Sequence, residues 1–368
     1  MKLKQIPEDF FVREIMDIKL QGKGEYAVFV MQKKRYTTIN AVQRIAKELE
    51  KNPKAFNTSG MKDKDAITEQ YVSGFGIKKE ELQKLKLKDI KVFFKGYSDE
   101  PIKLASHAAN YFEITARALD KELKPIEHFC NYYDEQRFGG IRPNMAKVGE
   151  LIVKIKWEDA MKAYLLYPFS TETEEHHLFR KQMEKSWGRL KLGMAPSYLA
   201  ESAVVDYLAG NQSDFTGAFR QLPKQVFTLF IHAYQSKLFN EMLAEYVREH
   251  CKISKEIEYC FGKLPMADET IELKIPLAGY DFNIDDVDER IKPLVKAAIN
   301  EIDVKQFSFD EIPFLSSRTV FRDASAGIAG LKTGEPEKDE LNNGKLKQKV
   351  CFTLAKGSFG TIAVKAMA

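Results

Sequence analysis

Apolar and polar positions alternate in short runs along the first third of the chain. Beyond Pro7 the alternation passes through Phe10 and Val12 to Glu14, and residues 26–31 (YAVFVM) form a second β-rich run, set apart by Gly22 and Gly24. A period of two predicts strands joined by a turn. Thr38 then predicts a helix cap, because Ile39, Val42, Ile45, Ala46 and Leu49 share one helical face before Pro53 stops the run. In residues 60–70 (GMKDKDAITEQ), alternation resumes with Ile67, Glu69 and Tyr71 against Thr68, Gln70 and Val72, so Asp63 is expected on the turn that feeds a strand. Two more strands are expected around Ile90, Val92 and Phe94, and around Phe112, Ile114 and Ala116. From Leu151 the texture becomes helical, and Phe227, Phe230, Ile231, Tyr234 and Leu238 mark a long amphipathic helix. Residues 333–349 read as an exposed loop or hairpin tip, with strand-like sequence returning around Gly357, Ser358 and Phe359. Many strands with few helices among them favour an α+β fold, a mostly antiparallel sheet with helices packed on it.

A chain of 368 residues, 44% apolar and 30% charged, is long enough for two domains with a large core. The net charge of +4, from 57 basic and 53 acidic residues, permits a polyanionic partner without demanding one. The four cysteines (Cys130, Cys251, Cys260, Cys351) form no C-x-x-C pair, so reduced thiols are expected and neither a disulfide framework nor a zinc site. The N-terminus turns acidic before an apolar run of signal-peptide length develops, and no stretch of 18 apolar residues occurs. A soluble, cytoplasmic protein with no membrane partner is expected.

Two stretches carry chemistry. Asp63 lies beside Lys62 on a tight turn, where a carboxylate suits either a nucleophile held ionised by a nearby cation or an ordinary solvated turn. In residues 131–140 (NYYDEQRFGG), aromatic rings mix with amide and guanidinium groups, the combination that stacks on and hydrogen-bonds to unstacked bases. By residue type alone, Asn131, Tyr133 and Gln136 serve base contact and loop structure equally well, whereas Phe138 reads as core. Lys33, Lys34 and Arg35 read as a solvated connection ahead of the helix, with phosphate contact the alternative.

Together these stretches resemble the TruD family of tRNA pseudouridine synthases over most of the chain. KQIPEDFFVRE is similar to the opening K-x-x-P-x-D-F-x-V-x-E, through Lys4, Pro7, Asp9, Phe10, Val12 and Glu14. GMKDKDAITEQ resembles G-x-K-D-x-x-x-x-T-x-Q, and NYYDEQRFG resembles N-Y-[FY]-x-x-Q-R-F-G; AYQSKLFN and KGSFGT match weaker blocks. Three positions depart from the pattern: Ala109 where glycine is usual, Ala355 where proline is, and Gly360 where alanine is.

The resemblance implies a pseudouridine-synthase-like sheet, formed by residues 1–156 with 324–368, interrupted by an inserted, mainly helical α+β TRUD domain at 157–323. It implies Asp63 as catalytic nucleophile and Lys4 as its basic partner. Asn131, Tyr133, Phe10 and Gln136 would lie at the substrate, and Phe359 would stack on the target base. The implied reaction converts uridine to pseudouridine in tRNA, at position 13. It is redox-neutral and transfers no outside group, so no cofactor and no metal are expected, and a monomer is. The competing readings are a magnesium-dependent phosphoryl-transfer enzyme using Asp63 and Asp65, and an RNA-binding or RNA-chaperone protein without catalysis.

Overall fold

The computed structural model describes residues 1–104, 106–140, 143–169, 172–199 and 201–368. The chain divides into two compact units, Met1–Phe129 with Ala326–Ala368, and Cys130–Ser325.

The first unit is built on β1 (Phe10–Ile15), β2 (Tyr26–Lys34), helix α1 (Thr38–Glu48), β3 (Phe56–Thr58), β4 (Ile67–Phe75), β5 (Ile90–Ser98) and β6 (Ala109–Leu119). The returning segment adds strands Ala329–Thr333, Glu337–Lys338 and Leu346–Ala355. Among the described residues these form one nine-stranded sheet. Its main path runs Ala329–Thr333, Leu346–Ala355, β6, β1, β4, β2, β5, with β3 beside β4 and Glu337–Lys338 beside Leu346–Ala355. Only β1 and β4 pair in parallel along it. That contact matters functionally, because a parallel pair needs a long crossover, and the crossover here carries β2, α1 and the Asp63 turn. Helix α1 buries Ala41, Val42 and Ile45 against Phe29, Met31 and Val72 of the sheet.

The expected strands form where the alternation places them. Two local expectations are corrected and a third is extended. Thr37, not Thr38, caps α1 by accepting from the Asn40 N–H, and the Thr38 hydroxyl is spent on the Asp63 turn. The C-terminal stretch is a helix, Gly360–Met367, entered through a left-handed turn at Gly357 (φ 87°), because Ile362, Ala363, Val364, Ala366 and Met367 are buried together. Residues 333–349 hold the expected hairpin tip, since Glu337–Lys338 pairs antiparallel with Lys347 and Leu346, and the addition is that Asp339 is buried and accepts from Arg117 Nη1 (2.9 Å) and the Ala118 N–H (2.8 Å).

In the second unit the helix Lys224–His250 is central rather than amphipathic, with buried residues around nearly its whole circumference, including Gln235 and Asn240. Helix Met145–Val153 packs on it, and Gly149 leaves no room for a Cβ against the Phe230 carbonyl. This packing joins residues 145–153 to the compact unit that begins at Cys130. The Tyr133 backbone also exchanges two hydrogen bonds with the Asn240 side chain, at 2.8 and 2.9 Å.

Among the described residues no helix is long and apolar enough to cross a membrane, and no three or more His, Cys, Asp or Glu side chains converge as metal ligands. The four cysteines are free thiols.

Candidate active site

In the first unit the structure brings Lys4 and Asp63 together as an ion pair, their side chains 22% and 14% exposed. The Lys4 ammonium also lies over the Phe10 ring, 4.2 Å from its centroid. Phe10 is itself buried and packs edge-on against Phe112 at 6.0 Å, so its ring forms the floor beneath Lys4. A cation between a carboxylate and an aromatic face is attracted by both.

Lys4 reaches this position through a left-handed backbone conformation (φ 56°) that a side-chain-bearing residue adopts only under constraint. The constraint comes from both sides. Lys2 exchanges two backbone hydrogen bonds with Arg117, at 2.7 and 2.9 Å, and the Ile6 N–H donates to Asp9 Oδ2 at 3.1 Å. Arg117 in turn donates to Asp9 Oδ1 at 2.7 Å, joining the two anchors through a buried ion pair.

The Asp63 turn is held from several directions. Thr38 Oγ1 accepts from the Lys62 N–H (2.9 Å) and donates to Gln70 Oε1 (2.8 Å), while Gln70 Nε2 donates to the Gly60 carbonyl (3.1 Å). Lys62 reaches inward to the buried Glu14 carboxylate (3.2 Å) and to Asn110 Oδ1 (2.6 Å). Glu14 also accepts from Ser59 Oγ (2.6 Å) and the Tyr71 N–H (3.0 Å). Lys33, expected in solvent, is fully buried and donates to the carbonyls of Tyr36 (2.7 Å), Lys62 (3.3 Å) and Asp63 (2.6 Å). Burial lowers its pKa to about 8, against the opposing pull of the Asp63 charge. Nearby His107 is held below its usual range by burial and then by Lys62.

Asp65 is exposed on the same turn. Phe359 is half-buried at the start of the terminal helix. The three departures from the family pattern fall in this corner of the sheet. Ala109 and Ala355 are direct cross-strand partners, and a Cβ on Gly360 would come 2.9 Å from the Phe112 ring.

Asn131, Tyr133 and Gln136 belong to the second unit. Both ends of the Asn131 amide are engaged: Nδ2 donates to the Asp323 carbonyl (3.0 Å), and Oδ1 accepts from Arg322 Nη2 (2.6 Å). Tyr133 is 5% exposed, with the Arg322 guanidinium 4.2 Å and that of Arg137 5.1 Å from its ring centroid. Burial lowers the pKa of both arginines. Gln136 is exposed on the short turn Glu135–Phe138, and Phe138 is buried as expected. Sequence reasoning missed Arg322, which sits in no recognisable pattern. It also missed the structural use of Glu14 and Lys62, although both lie inside the quoted motifs.

The model of the family described as tRNA pseudouridine synthase D (TruD) matches residues 1–259. A tRNA pseudouridine synthase D of Aquifex aeolicus is 30% identical over 398 residues, covering 99% of this chain and 97% of the relative. A probable tRNA pseudouridine synthase D of Methanosarcina barkeri is 28% identical over 407 residues, covering 99% and 92%. The TruD crystal structure from Methanosarcina mazei superimposes with a TM-score of 0.70 at 26% identity, covering 99% of this chain and 92% of that one. With its antiparallel sheet, its Lys4–Asp63 pair and these relatives along its whole length, the chain belongs to the TruD family of tRNA pseudouridine synthases.

Proposed function

We propose that the chain isomerises uridine to pseudouridine in tRNA, at position 13, in the cytoplasm, with Asp63 as nucleophile. The observation that carries the role of Asp63 is its pairing with Lys4: of the two acidic residues on this turn, it is the one held against a cation in a partly closed site. Asp63 forms a covalent bond to the nucleotide, the bond from ribose C1′ to uracil N1 breaks, C1′ joins C5 of the rotated base, and the bond to Asp63 breaks again to return the free carboxylate. The C5 proton passes to solvent and N1 gains one, so composition is unchanged and no electrons are exchanged. Lys4 sets a positive charge directly against the reacting carboxylate, in a site from which the bound base would exclude water. Flipping the base costs a few kcal/mol, and stacking on one aromatic ring, here Phe359, returns about 1 to 3 kcal/mol. Within the second unit, the engaged amide of Asn131 and the arginine-flanked ring of Tyr133 support a role in holding this loop rigid, and Gln136 is exposed for polar contact with RNA.

The test is tritium release from C5 of labelled uridine in tRNA. Asp63→Asn retains shape but loses the nucleophile, so it should abolish release and leave tRNA binding intact. Asp65→Ala should stay active, and EDTA should change nothing. Release by Asp63→Asn at the wild-type rate would refute the mechanism and favour neither competitor, whereas loss of wild-type release on chelation would favour the magnesium-dependent reading.

A further inference from the structure

Lys33 is the eighth residue of β2, on the inward face that Phe29 and Met31 also occupy, and it is 1% exposed. A methionine would fill that volume without the cost of several kcal/mol that burying an ammonium carries. The site meets the cation with three backbone carbonyls, and among the described residues no carboxylate accepts a hydrogen bond from it. Two of those carbonyls, of Lys62 and Asp63, are consecutive on the turn that carries the proposed nucleophile, and the third, of Tyr36, precedes α1. The Lys62 N–H is already fixed by Thr38, so Lys33 completes the clamp on this turn from the carbonyl side.

We propose that Lys33 is a positioning residue for the isomerisation, its buried ammonium fixing the Lys62–Asp63 backbone and placing a second positive charge behind the Asp63 carboxylate. The inference rests on the reading of Asp63 as nucleophile. Three donors converging on carbonyls set a geometry that no apolar side chain reproduces, and a misplacement of about 1 Å at a reacting group can cost about 100-fold in rate. The charged groups facing Lys33 are Asp63 and Lys62. Its neighbours Thr68 on β4, Ile90 on β5 and Thr38 on α1 are neutral, so deprotonation of Lys33 removes one charge and one donor from the clamp.

The experiment measures single-turnover isomerisation from pH 6 to 10 for wild type, Lys33→Met and Asp63→Asn, with tRNA affinity and thermal melting alongside. Lys33→Met is expected to react about 100-fold more slowly at pH 7, with unchanged tRNA affinity. Wild type is expected to lose rate above pH about 8, where Lys33 deprotonates, and this alkaline limb should vanish in the variant. A purely structural lysine would move melting and affinity without moving the pH profile. If Lys33→Met does not fold, the wild-type profile decides: a limb near pH 8 supports the inference and a flat profile overturns it. Wild-type kinetics in Lys33→Met with an inactive Asp63→Asn would overturn the inference alone. An active Asp63→Asn would instead overturn the nucleophile on which it rests.

Discussion

Replacing Glu14 by Gln tests the buried link between the chain's opening motif and the Asp63 turn. The Glu14 side chain is wholly buried, and its two oxygens take hydrogen bonds from Ser59 and Tyr71 and the charge of Lys62. Glutamine keeps the shape but offers one acceptor oxygen, and its amide NH₂ then faces a donor. Lys62, 10% exposed, loses its counter-charge and keeps Asn110 Oδ1 at 2.6 Å. Breaking a buried ion pair on one side costs about 3 to 5 kcal/mol. The surviving Asn110 bond places the expected loss at the lower end, about 3 kcal/mol. With a urea slope of about 3 kcal/mol per molar, the unfolding midpoint should fall by about 1 M. Both tryptophans, Trp157 and Trp187, lie in the second unit. The sheet is therefore followed by far-ultraviolet circular dichroism rather than by fluorescence. Adding Lys62→Met should restore part of the loss, because the orphaned charge is then gone. A midpoint shift under about 0.3 M, or a double variant whose loss is the sum of the single ones, would refute the coupling.

Other outcomes follow from the same geometry. Lys4→Met should slow tritium release about 100-fold, as losing one preorganised charge partner does, while tRNA binding stays within a few-fold; full activity would show that the pair is structural. Phe359→Ala should weaken stabilisation of the flipped base by about 1 to 3 kcal/mol, whereas a loss of about 3 to 5 kcal/mol in folding stability with normal activity of the folded fraction would identify a core ring instead. Lys33 has a pKa near 8 when folded against 10.5 in the open chain, so the unfolded chain holds more protons between those values. Wild type should therefore gain about 3 kcal/mol of stability over Lys33→Met as pH rises through that window. Denaturant titrations at pH 7 and 10.5 measure it, and parallel curves for the two proteins would contradict it.

Period-two alternation was sufficient to place β1, β2, β4, β5 and β6, because each strand has one face that must be buried, and that requirement is written locally. Lys4 and Asp63 are named together from the family motifs, and the fold brings them into one ion pair; their proposed roles rest on those motifs. What the sequence by itself could not decide was where polar side chains find partners. Lys33 sits in a basic triplet that reads as solvated, yet the β2 pleat turns it inward onto carbonyls 3, 29 and 30 residues away. Asp339 lies in a polar, glycine-containing stretch that reads as a hairpin tip, yet its partner Arg117 is 222 residues distant. The Asn131 amide closes on Asp323 and Arg322, at the far end of the insertion. The terminal helix follows the same rule, since a short apolar run satisfies either period and the joint burial of Ile362, Ala363, Val364, Ala366 and Met367 in the fold selects the helix. Burial periodicity is a local property, whereas satisfying a buried charge or amide is a property of the folded surroundings, so only the tertiary structure assigns those partners.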